Sequence, residues 1–166
     1  LINNHSEKIN KYIKYRSDFE NYLILGKYEQ ASEILDTINK QICVSLWGLD
    51  NQFVLAENEF GLEKNKELLA NISSKDCDLW VSIYADLFSF KNEHSVNNRQ
   101  YDHRLERLFT GVKEEIKSFF SEKLYPIYKI SIDQLYNLLY YNECFSIIDI
   151  YNAFTKICVR AVADNK

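Results

Sequence analysis

Glycine and proline let a chain turn sharply, and this chain of 166 residues holds four glycines and one proline. Average usage of about 7% Gly and 5% Pro would supply roughly 12 and 8 in a chain this long. A β-sandwich or barrel needs turn signals about every 10 residues, so the scarcity argues against one with many tight hairpins. Long helices with few connections are what remains. The same scarcity removes glycine-rich phosphate loops: neither G-x-x-x-x-G-K-[ST], G-x-G-x-x-G nor the nucleophile elbow G-x-S-x-G occurs.

The hydrophobic period is helical. Ile9, Tyr12, Ile13, Phe19, Leu23 and Ile24 recur mostly at steps of three and four, and Gly26 stops this first helix. Ala31, Ile34, Leu35 and Ile38 mark a second helix over about Tyr28 to Lys40. A third runs from about Cys43 to Asn58 with Trp47 in its core stripe, and Gly61 turns the chain into a fourth that reaches Ile72. Ser73 or Ser74 is placed to cap a fifth, which carries Trp80 as a second core tryptophan. The polar stretch Lys91 to Gln100 is the expected loop, and Asp102 the expected cap of a sixth helix running through Phe120, with Gly111 inside it. Pro126 ends that helix or kinks the next connection, Ser131 caps a seventh, Asn142 breaks it, and an eighth runs to about Ala163. The expectation is an all-α fold of about eight helices forming one domain over residues 1–166. It would comprise repeat-like hairpins over 1–72 and further helices over 73–166, with the polar loop near 91–101. A chain with no methionine that begins at Leu1 is expected to be a segment of a longer protein.

The turn Gly26-Lys27-Tyr28-Glu29-Gln30-Ala31, followed by Leu35, reads G-x-Y-x-x-A-x-x-x-L. Gly26 makes the turn, Tyr28 packs over it, the small Ala31 lets paired helices approach, and Leu35 fills the interface. The apolar set Ile34, Leu35 and Ile38 recurs as Leu68, Leu69 and Ile72, a spacing of 34 residues. Over residues 10 to 72 this resembles a degenerate tetratricopeptide repeat. The resemblance implies stacked antiparallel helical hairpins, an α-solenoid or irregular array, with Gly26, Tyr28, Ala31 and Leu35 as repeat-packing residues. Tyr15 and Tyr22 fall where that family puts large aromatics on its first helix, and are the candidate partner-binding residues. The departures are Asp18 and Phe19, Asn65 where a small residue belongs, and Cys43 in place of a closing proline.

A formal net charge of −4 disfavours nucleic-acid binding by bulk charge. No apolar run reaches the ~18 residues of a membrane span, and the N-terminus lacks a signal-peptide core. The cysteines Cys43, Cys77, Cys144 and Cys158 form no C-x-x-C pair and are expected as buried free thiols in a reducing cytoplasm. Abundant Lys, Asn, Ile and Tyr suit a bacterial, AT-rich coding sequence.

The histidines His5, His94 and His103 show no metal-ligand spacing, and no cofactor or metal site is expected. Arg99 and His103 have three residues between them. Helical ribonucleases of the HEPN class pair an Arg with a His at a slightly wider spacing, so the segment is similar to that motif but falls short of it. That resemblance implies Arg99 holding a phosphate and His103 moving a proton. The carboxylates Glu57, Glu59, Glu63, Asp76 and Asp78 make no catalytic pattern. Tyrosines crowd the C-terminal quarter, at Tyr125, Tyr128, Tyr136, Tyr140, Tyr141 and Tyr151, and are expected mainly between helices with hydroxyls at the rim.

The function these features favour is a non-enzymatic helical interaction module, binding a protein or peptide partner or another domain of the same chain. The alternatives are an RNA-processing domain using Arg99 and His103, and a segment that self-associates into a homo-oligomer through its apolar C-terminal helix.

Overall fold

The structure is a computed structural model and describes residues 2–74, 78–113, 120, 124 and 146–164. A 3-10 turn at Ile2–His5 leads into α1 (Ser6–Ile24), α2 (Tyr28–Gln41), α3 (Leu46–Phe60), α4 (Leu62–Ser73), α5 (Leu79–Asn92), α6 (Asn98–Leu108) and α7 (Ile147–Asp164). The chain is all-α as its periodicity requires, with seven α-helices among the described residues in place of about eight. The helix expected from Ser131, the break at Pro126 and the tyrosines from Tyr125 to Tyr141 lie outside the described residues.

The turns follow from backbone chemistry. After α1 the amide of Gly26 donates to the Leu23 carbonyl at 3.1 Å, and that of Lys27 to the Tyr22 carbonyl at 2.9 Å. This is a Schellman closure, and it requires the left-handed conformation that Gly26 adopts with φ +67°. Gly61, at φ 81° and ψ −167°, joins α3 to α4 in a region essentially restricted to glycine. The third helix starts at Leu46, not Cys43, because Ser45 caps it by accepting from the Gly48 amide at 3.0 Å.

Other boundaries also depart from expectation. Ser73 ends α4 and Ser74 follows it, so neither caps α5; Asp78 precedes α5 without a side-chain cap bond. The sixth helix begins at Asn98, four residues before Asp102, because Asn97 and Gln100 form a reciprocal capping box. With α5 continuing to Asn92, the polar loop shrinks to residues 93–97. Gly111 lies beyond the end of α6 at φ +74°, in a turn and not inside a helix.

Neighbouring helices pack in sequence: α1 on α2, α2 on α3, α3 on α4 and α5, and α4 on α5; α7 returns to lie on α1 and α3. The largest buried cluster centres on Phe53, Tyr84, Phe88 and Leu105, and Phe120 joins it 4.9 Å from the Tyr84 ring. A second joins Phe19, Ala31, Leu35 and Leu55, and a third Tyr12, Ile38, Ile42 and Ile148. Trp47 links the last two, with its ring edge-on to Tyr12 at 5.2 Å and to Phe19 at 5.5 Å. Trp80, expected in the core, is 45% exposed and rests against Phe120 at its rim. Cys158 is exposed and Cys43 half-buried, contrary to the expectation of buried thiols; both are free.

Candidate functional site

Two polar seams hold the helices in place. In the first, the side-chain amide of Asn65, fully buried, donates to Glu57 Oε2 at 2.9 Å and to the Ser89 carbonyl at 3.1 Å. Ser89 Oγ donates back to Asn65 Oδ1 at 2.6 Å and accepts from Lys66 Nζ at 3.0 Å. Glu57 Oε1 also accepts from the His94 amide at 3.0 Å. The seam therefore joins α3, α4, α5 and the loop after α5, and it accounts for a polar Asn65 at a close-packed position: the side chain directs its hydrogen bonds to two neighbouring helices.

The second seam attaches α7. Ser146 Oγ accepts from the Asp149 amide at 3.2 Å and donates to Asp149 Oδ2 at 2.8 Å, which fixes the carboxylate. Asp149 then accepts from the Leu46 amide at 2.9 Å and the Trp47 amide at 3.1 Å. A carboxylate from the C-terminal helix thus caps the positive end of α3. One turn on, Asn152 and Tyr12 exchange hydrogen bonds at 3.2 and 3.0 Å, and Arg16 Nη1 donates to Asn152 Oδ1 at 3.1 Å. Burial works against the charge of Arg16. Its hydrogen bond and ion pair with Glu20, together with Tyr12, outweigh that and hold the guanidinium above its ordinary pKa.

Beside this seam α1, α3, α5 and α7 meet at a cleft of about 220 Å³. Its apolar floor is Leu46, Trp47 and Phe88; Arg16, Asp50, Asn152, Thr155 and Lys156 form the polar wall. Asp50 is held by Lys91 Nζ at 2.6 Å and Asn92 Nδ2 at 2.9 Å. A wider groove of about 590 Å³ runs between α5 and α6, over Ile83, Leu87 and Leu108, with Arg104 and Arg107 alongside. Arg104 pairs with Asp86 and lies 4.4 Å over the Phe90 ring.

Tyr15 and Tyr22, both half-buried, pack where α1 meets α2; Tyr15 Oη donates to Gln41 Oε1 at 3.2 Å. Gly26 makes its turn, Tyr28 packs half-buried at the α1–α2 junction, and Ala31 and Leu35 are buried there. Arg99 and His103 are both exposed on α6, and His103 Nδ1 lies 3.4 Å from Glu106. Among the described residues no three His, Cys, Asp or Glu side chains converge to hold a metal ion, and no helix is long and apolar enough to cross a membrane.

Sequence reading named Glu57 and Asn65 without this role and passed over Ser89, Asp149 and Asn152. The signal was their register: Glu57 follows Phe53 by four residues, and Asn152 follows Ile148 by four, so each continues a buried stripe. Comparison with protein-family models, curated proteins and solved structures gives no match.

Proposed function

We propose that the chain is a non-enzymatic helical interaction module that binds a peptide or a partner domain. In this reading α1 with α2, and α3 with α4, are antiparallel hairpins stacked as in a tetratricopeptide-like array, and the face of α1, α3 and α5 is offered to the partner. The carrying observation is the convergence of those three helices, with α7, on the cleft floored by Trp47 and Phe88 and edged by Arg16 and Lys156. Tryptophan and arginine dominate the energetics of protein contacts. The buried polar side chains Glu57, Asn65, Ser89, Asp149 and Asn152 are engaged between helices, a use that serves architecture. The test is selection from a random-peptide display library. Peptides held by the wild type and released by Arg16→Glu with Lys156→Glu support the reading. Selection of none, or retention by the double variant, overturns it, as does robust turnover by the purified protein.

Self-association has an observation of its own. The outer side of α7 leaves Phe154 44%, Val159 56% and Val162 64% exposed. Light scattering that reports a monomer at high concentration dismisses it.

A further inference from the structure

The groove between α5 and α6 shares no described lining residue with the cleft at Trp47, and its chemistry differs. Its floor is Ile83, Leu87 and Leu108, and Leu108 is 42% exposed at the end of α6. One edge is cationic. Arg104 is fixed there, paired with Asp86 and laid over the Phe90 ring. Arg107 lies three residues on, and so on the same side of the helix. It is exposed, and its side chain has neither an ion pair nor a hydrogen bond among the described residues. Asp86 is the one carboxylate among the described lining residues, and Arg104 neutralises it; Glu106 sits against His103, outside the lining. The charge left at the groove is therefore that of Arg107, in a chain whose net charge is −4. We propose that this groove is a second docking surface, and that its occupant is an amphipathic helical peptide with an acidic flank. Two helices side by side offer a channel into which a third packs its apolar ridge, here over Ile83, Leu87 and Leu108. A Glu or Asp on the flank meets the planar fork of Arg107 with two parallel bonds. The class of partner rests on the interaction reading; the place does not depend on the cleft.

The test uses the intact chain and two fluorescein-labelled peptides of about 16 residues, long enough to hold helical structure. Both carry leucines at i, i+3, i+4 and i+7; one has glutamates on its flanks, the other lysines. Fluorescence anisotropy should show the glutamate peptide bound, more weakly as salt rises, and the lysine peptide bound at least about tenfold less tightly. The Arg107 side chain holds no described residue in place. Arg107→Glu should therefore keep the melting temperature while weakening the glutamate peptide by at least about tenfold. Arg16→Glu with Lys156→Glu should leave that peptide bound, which separates failure of the cleft from failure of the groove. Binding of neither peptide, equal binding of both, or a glutamate peptide indifferent to Arg107→Glu overturns the proposal, as does its release by the cleft variant.

Discussion

Asn65→Ala removes one small side chain from the meeting point of α3, α4 and α5, and its cost can be built from the bonds it makes. Two are neutral, to the Ser89 carbonyl and from the Ser89 hydroxyl; the third donates to the Glu57 carboxylate. Neutral bonds are worth about 1 kcal/mol net and a bond to a charged group about 2. The carboxylate left behind is 3% exposed and keeps the His94 amide. Water therefore cannot replace the lost donor, and a loss of about 3–5 kcal/mol is expected. With a slope near 2 kcal/mol per molar in urea, the unfolding midpoint should fall by about 2 M. Adding Glu57→Leu removes the stranded charge, so the double variant should be more stable than the sum of the single losses by at least about 1 kcal/mol. A loss under about 1 kcal/mol for Asn65→Ala, or strict additivity, would refute the view that this network, and not only its apolar surroundings, fastens the three helices.

Three further outcomes are expected. Asn97→Ala opens the capping box of α6 and should cost about 1 kcal/mol, a melting temperature lower by roughly 3 °C. Gly26→Ala meets open space, so its whole cost is the left-handed backbone, about 1 kcal/mol in urea unfolding. Incubated with single-stranded RNA, wild type and His103→Ala should both leave it intact; cleavage by the wild type that His103→Ala abolishes would return the function to RNA processing.

Where each helix lies was legible wherever apolar residues alone set the period. Ala31, Leu35 and Ile38 fall in one stripe and are buried on one face, and Gly26 turns the chain as its position demands. The start of α6 was hidden because its signal is polar: Asn97 and Gln100 look like loop until their reciprocal bonding is seen. Trp80 misled for the opposite reason, since a large apolar ring at a helical step can sit on a rim as well as in a core. The polar seams were the least legible. Asn65 and Asp149 are bound to residues 24 and 103 positions away, and no local pattern encodes a partner at that distance.

The reach of α7 also sets an order in time. A nascent chain presents α3 about 100 residues before Asp149 exists, which at roughly 10 residues per second is some 10 s of synthesis. During that interval the first amides of α3 and the hydroxyl of Tyr12, whose partner lies 140 positions on, face solvent or whatever else binds them. The earlier helices must hold their packing through that wait, and a ribosome stalled before Ser146 would display the α1 and α3 surface without its own closing helix.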